Sequence, residues 1–147
     1  VPDDDEDAAR PTMAPFLGAL AIAGIVLIGI WLFNLFQGDR TPEDQRVARA
    51  AVGQNDALQR ENFADYASFT CGKERGSEAE VIARQRDSSA KRGARFVDDV
   101  TDVKIDGDRA TATVTYHFDK APDDKKPVPM TFVREDGAWK VCSTGPS

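Results

Sequence analysis

Apolar positions fall along this chain in three successive patterns, and the first is unbroken. Between Arg10 and Asp39 there is no charged residue, and from Phe16 to Phe36 only Asn34 is strongly polar. As a helix, that run would reach about 31 Å at ~1.5 Å per residue, close to the ~30 Å hydrocarbon thickness of a bilayer. A core helix of a soluble domain would show a polar face, and Leu17 to Ile30 shows none. The pattern predicts a transmembrane helix over residues 14–37. A cleaved signal peptide fits poorly. The flank is acidic rather than basic, and the run ends in Trp31-Leu32-Phe33, which suits a membrane interface better than a peptidase site.

The second pattern is helical. Thr41-Pro42-Glu43-Asp44 reads as a helix start, with a hydroxyl N-cap, Pro at the first position and acids at the positive dipole end. Val47, Ala51 and Leu58 supply its apolar stripe. Phe63, Tyr66 and Phe69 recur every three residues in a short second helix over 62–70. Ser77-Glu78-Ala79-Glu80 has the form of a capping box and opens a third helix, which runs to about Ala90 and stops before Gly93.

From Ala94 the period changes to two. Val103 and Ile105 lead into Asp106-Gly107, a hairpin signal, and Ala110, Ala112, Val114, Tyr116 and Phe118 alternate with three threonines and His117. Residues 121–127 are rich in Pro, Asp and Lys and read as a polar turn. Strands follow over 128–134 and 139–143, separated by Glu135-Asp136-Gly137. Helices first and an antiparallel four-strand meander afterwards define an α+β class, about three helices packed on one face of the sheet. The domain plan is a disordered acidic tail over 1–13, the membrane helix over 14–37 and an α+β domain over 38–147.

Charge alters this picture little. The formal net charge is −6, and Asp3, Asp4, Asp5, Glu6, Asp7 and Arg10 at the start account for −4 of it. The near-balance elsewhere gives no electrostatic reason to expect nucleic acid as a partner.

Candidate chemistry is sparse. Cys71 and Cys142 are the two cysteines. A bond between them would close a long loop, for about 4 kcal/mol of stabilisation in the chain-entropy model. The alternative is two separate buried thiols, and a membrane helix able to export the domain favours the bond. Two Cys and one distant His show no metal-ligand spacing, so neither a metal nor another cofactor is expected. His117, the sole histidine, falls on the Thr-lined strand face with no assignable nucleophile, so it reads as solvent-facing or groove-lining. Arg84, Arg86, Lys91, Arg92 and Arg95 form a basic cluster that reads as a solvated helix face or as a patch for an anionic partner. Tyr116, Phe132 and Trp139 read as core. Ala14/Gly18 and Ala19/Ala23 match small-xxx-small helix pairing.

Gln54-Asn55-Asp56-Ala57-Leu58-Gln59-Arg60, the short aromatic helix ending at Cys71 and the terminal Asp136-Gly137-Ala138-Trp139-Lys140-Val141-Cys142 together resemble a group of actinobacterial, especially mycobacterial, membrane proteins. Members have an acidic or Pro-rich tail, one transmembrane helix and an exported domain similar to the nuclear-transport-factor-2-like, cystatin-like or lumazine-binding-like cone. The resemblance covers roughly residues 14–145. It implies a curved sheet around helices, often with a pocket, and an architecture similar to proteins that accompany mycobacterial lipid-import complexes. Isomerase-like members of the wider fold use a pocket Asp with a Tyr and a protonated acid, and no residue here matches those roles. Fold by itself supplies no function.

Topology is contested within the sequence. Arg40, Arg46 and Arg49 follow the apolar run and only Arg10 precedes it, which favours a cytoplasmic C-terminal domain. The cysteine pair and the resemblance favour a cytoplasmic N-terminus and an exported domain. The functional expectation is therefore a non-enzymatic accessory domain of the cell envelope, held by the bilayer and binding or stabilising an envelope membrane protein or complex. The alternative is a domain that binds a small apolar, lipid-like ligand, or an isomerase-like enzyme.

Overall fold

The computed structural model describes residues 14–37 and 41–147, with the side chains of 14–17 and 34–37 left out. The expected acidic tail over 1–13 and the chain exit at 38–40 lie outside the described residues. The chain divides into two compact units, Val1–Thr41 and Pro42–Ser147.

The first unit contains helix α1, Ala14–Gln37. Its described large side chains are exposed on every side, from Leu20 (69%) and Ile25 (70%) to Trp31 (62%) and Phe33 (60%). Among the described residues no helix is long and apolar enough to cross a membrane. Of the two small-residue pairs, Ala14 lies among the side chains left out, and Ala19 and Ala23 are exposed.

The second unit is α+β: α2 (Glu43–Gln59), α3 (Phe63–Phe69) and α4 (Glu78–Arg92), then β1 (Arg95–Asp106), β2 (Arg109–Phe118), β3 (Ala121–Glu135) and β4 (Ala138–Val141). The strands form one antiparallel sheet in sequence order. Val47, Ala50 and Ala51 of α2 pack on Ala110, Ala112, Val114 and Tyr116 of β2 and on Met130, Phe132, Trp139 and Val141. This confirms the expected core face of β2, with Tyr116, Phe132 and Trp139 all buried. A smaller cluster of Ala57, Tyr66 and Val81 joins the three helices. Small residues set the spacing. A Cβ at Gly53 would stand 2.5 Å from the Phe69 ring, so a side chain there would force that ring to move.

Helix ends follow local chemistry, with one shift. Pro42, not Thr41, precedes the first helical residue, and no side chain caps that end; the Pro42 carbonyl accepts from Gln45 and Arg46 instead. Glu43 and Asp44 do occupy the first turn. Asn62 caps α3 by accepting from the Asp65 amide, and Ser77 caps α4 by accepting from the Glu80 amide. Gly93 ends α4 at φ 79°, a conformation that side chains disfavour.

Two sheet features differ from the sequence reading. The first hairpin turns on Gly107-Asp108, one residue later than expected, because Asp106 still pairs with Arg109. Residues 121–127 are strand rather than turn: Ala121 pairs with Phe118 and Pro127 with Thr115. The short β4 pairs only with Phe132–Glu135, which leaves the rest of β3 as a sheet edge. Thr131 points its amide to that side, where it donates to Ser143 Oγ, so strand alternation turns the Pro127 and Pro129 nitrogens outward too. Proline costs no ladder bond there and blunts the edge against another strand.

Candidate ligand-binding cleft

A cleft of about 250 Å³ opens between the helices and the C-terminal segment. Its apolar wall is Leu58, Tyr66 and Val81; its polar wall includes Gln54, Gln85 and Ser88; its charges are Lys73, Glu74, Arg84 and Arg95. Residues 143–147 close one side.

Arg95 is the organising residue. It begins β1 and is only 8% exposed. Asn55 of α2 holds it twice: Asn55 Nδ2 donates to the Arg95 carbonyl (3.0 Å), and Asn55 Oδ1 accepts from Arg95 Nε (2.8 Å). Gln59, one turn further along α2, accepts from the Arg95 amide (3.1 Å). The guanidinium lies 4.7 Å over the Tyr116 ring and donates through Nη1 to the Pro146 carbonyl (2.6 Å). Burial pushes the guanidinium pKa below its ordinary value and pushes the Tyr116 phenol up. Arginine remains a cation regardless. Among the described residues no carboxylate forms an ion pair with Arg95; its bonded partners are amides and backbone carbonyl oxygen. A buried cation normally requires an opposite charge or full hydrogen bonding. Here neutral acceptors and an aromatic face do that work.

The cleft walls are tied down by short links. Gln54 Nε2 donates to Thr70 Oγ1 (2.9 Å), and Thr70 Oγ1 donates to the Tyr66 carbonyl (2.7 Å). Arg75 Nε donates to the carbonyls of Ala67 and Thr70, satisfying the end of α3. Cys71 and Cys142 are joined, with Cα atoms 5.2 Å apart, so the disulfide expected from the sequence is present. It clamps the end of α3 to the end of β4, beside the Cys71 amide to Val141 carbonyl bond (2.9 Å). The segment that closes the cleft starts directly after this clamp.

The basic cluster read from the sequence does not form one surface. Arg84 lines the cleft, and Arg95 is buried rather than part of an exposed patch. Arg86 pairs with Glu61 (2.7 Å), and Lys91 with Asp87 (2.8 Å). The Arg92 guanidinium sits 5.1 Å over the Phe118 ring. Helical periodicity could separate Arg84 from Arg86, but nothing local distinguishes Arg95 as the one buried residue of an otherwise exposed or half-exposed edge strand. Asn55 and Gln59 belong to the motif that carries the family resemblance, but the sequence alone gives them no site role. A signal of burial was present: Gln54 and Asn55 interrupt the apolar stripe of Val47, Ala51 and Leu58, and polar residues on a buried stripe need partners.

His117 lies on the opposite face of the sheet from Tyr116. Its Nδ1 is 2.8 Å from the Asp98 carboxylate, and its ring stacks on Phe96 with centroids 4.9 Å apart. Lys125 Nζ donates to the same carboxylate (3.2 Å). Asp98 is the extra residue where the β1 register shifts between Val97 and Asp99, and such a bulge re-aims a side chain. The hydrogen bond from His117, with a smaller contribution from Lys125, holds the Asp98 carboxyl below the usual range. The histidine is thus a paired, partly covered group on the outer sheet face, apart from the cleft.

Residues 72–144, just short of half the chain, match the family described as low molecular weight antigen MTB12, C-terminal domain. Among curated proteins no match is found. Similar solved structures include a Campylobacter jejuni protein whose name proposes an NTF2-like transpeptidase, at 19% identity and TM-score 0.47 over 71% of this chain and 99% of that one. A function-unknown protein of Mycobacterium tuberculosis aligns at 11% identity and TM-score 0.48, over 71% of this chain and 70% of that one. An uncharacterized cystatin fold protein of Novosphingobium aromaticivorans aligns at 11% and 0.42, over 64% and 93%. The chain's own architecture is α+β, helices packed on a four-stranded antiparallel sheet, as its sequence pattern predicts.

Proposed function

We propose that the chain is a non-enzymatic binding protein of the cell envelope: α1 anchors it in the bilayer, and residues 42–147 lie outside the cytoplasm and bind an envelope partner through the Arg95 cleft. The observation that carries this reading is Arg95 itself, a buried cation with no ionic partner among the described residues, set in the wall of a concave site. Such a group is costly to keep, and recognition of a polar ligand is a use that repays the cost.

Anchoring is supported by the uncharged run between Arg10 and Asp39 and by the apolar side chains on all sides of α1, which need an apolar surrounding. An extracytoplasmic site is supported by the disulfide, since such bonds persist in oxidising compartments. A binding rather than catalytic role is supported by where the reactive groups sit. Both cysteines are bonded to each other, and His117 is engaged by Asp98 on the far side of the sheet. Leu58, Tyr66 and Val81 keep the small apolar ligand as the second reading, but the many polar groups of the lining favour a polar one.

The test fills the cleft. Ser88 lines it, and Ser88→Trp should obstruct it without touching the core. Full-length protein purified in mild detergent should retain a partner that the Ser88→Trp protein loses, with both still in the membrane fraction. An identical set of proteins and lipids with both forms would reject the cleft as the binding surface.

A further inference from the structure

We infer that the cleft is a carboxylate-binding site and that residues 144–147 act as its built-in occupant, displaced when a ligand carboxylate takes their place on Arg95. This rests on the binding role proposed for the cleft and specifies its ligand chemistry.

The guanidinium is presented in one orientation. Asn55 Oδ1 holds Nε, the Tyr116 ring supports the plane, and Nη1 extends to the Pro146 carbonyl at 2.6 Å. A carbonyl offers that cation one neutral acceptor, whereas a carboxylate offers two oxygens and a full charge in a geometry that matches the arginine fork. Lys73 and Arg84 stand in the same lining as Arg95 and offer further cationic groups to an anion.

The occupant is closely seated yet lightly held. A Cβ on Gly145 would stand 3.1 Å from Arg95 Nη1 and 3.5 Å from the Tyr116 hydroxyl, so the chain passes here at minimal width. Upstream, the disulfide at Cys142 and the bond from the Thr131 amide to Ser143 Oγ fix the start of the segment. Beyond Ser143, the described hydrogen bonds of residues 144–147 reduce to the one from Arg95 to Pro146. Lifting the segment from the cleft therefore breaks one hydrogen bond and no strand pairing. A tethered occupant competes at an effective concentration in the millimolar range, which lowers the apparent affinity for any ligand at the same place.

The experiment compares the full chain with a chain ending at Ser143, both in detergent, by calorimetric titration with N-acetyl-Gly-Pro and with its uncharged amide. The acid places a carboxylate where the Pro146 carbonyl lies. The shortened chain should bind the acid at least tenfold more tightly than the full chain does, and at least tenfold more tightly than it binds the amide. Arg95→Gln in the shortened chain should erase the preference for acid over amide. Because that variant could lose the fold, its melting is followed in parallel, and the acid–amide comparison on the unsubstituted chain stands alone. Equal affinity of the two chain lengths would overturn the occupant; equal affinity for acid and amide, or binding of neither, would overturn the carboxylate site. Partner retention that remains sensitive to Ser88→Trp in those cases would leave the binding role standing and remove only its specification.

Discussion

Asn55 grips Arg95 by both ends, accepting from its Nε at 2.8 Å and donating to its carbonyl at 3.0 Å. One amide side chain on α2 therefore fixes the first residue of the sheet and the cation of the cleft together. Asn55→Ala would leave a buried guanidinium N–H and a buried carbonyl without partners. A loss of about 2–4 kcal/mol is expected, since bonds to charged groups contribute ~1.5–3 kcal/mol each and orphaned buried groups add a penalty. In a domain of this size each kcal/mol lowers the melting temperature by ~4–8 °C, so thermal unfolding should show a shift of at least ~8 °C. A shift within a degree or two would mean that the pair is not maintained in solution.

The disulfide links residues 71 apart in sequence. Cys142→Ser should destabilise the domain by about 4 kcal/mol in the chain-entropy model, and non-reducing peptide mapping of the wild type should recover a cross-linked Cys71–Cys142 fragment. Free thiols at both positions after isolation under alkylating conditions would remove the bond and, with it, the main support for an extracytoplasmic domain.

Acid stability should report on Asp98. Its folded pKa lies below the ordinary value of 3.8 because His117 and Lys125 donate to the carboxylate. A depressed carboxyl pKa contributes stability that is present above the unfolded value and is lost as pH falls through the folded one. The stability difference between wild type and Asp98→Asn should therefore be constant above about pH 4 and shrink steadily below it. Urea titrations at intervals from pH 6 to pH 2.5 measure this directly. A difference that persists unchanged at the acid end would show that the carboxylate makes no net charge-dependent contact.

The prolines of β3 make a separate prediction about solution behaviour. Pro127→Thr with Pro129→Thr restores two outward N–H groups on an otherwise open edge. Self-association should rise, visible as added mass in sedimentation velocity at high protein concentration. An unchanged profile would mean that the neighbouring Asp and Lys side chains protect the edge without them.

Much of this architecture was legible in the residues, and the misreadings have physical causes. Strand β2 could be read because it alternates small or apolar residues with threonines, and one face of it packs on α2. Helix α4 could be read from Ser77 and Gly93, whose roles are settled within one turn of chain. Residues 121–127 looked like a turn because Pro and Asp disfavour strands, yet an edge strand tolerates both and its pairing is decided by β2, not by local preference. The cleft was less legible still. Asn55 and Arg95 stand 40 positions apart, and Arg95 and Pro146 stand 51 apart. No local pattern encodes which buried amide meets which cation. The basic cluster drew attention to Arg95 for a surface role, whereas its importance comes from being buried.

The most direct test of a binding cleft is photo-cross-linking in intact cells, with a benzophenone amino acid placed at Ser88 in the cleft or at Thr111 on the opposite sheet face. Adducts at position 88 that are absent at position 111, and that disappear when Arg95→Gln is added, are the expected result. Adducts confined to position 111, or equal at both positions, would contradict the assignment of the Arg95 cleft as the surface through which this protein works.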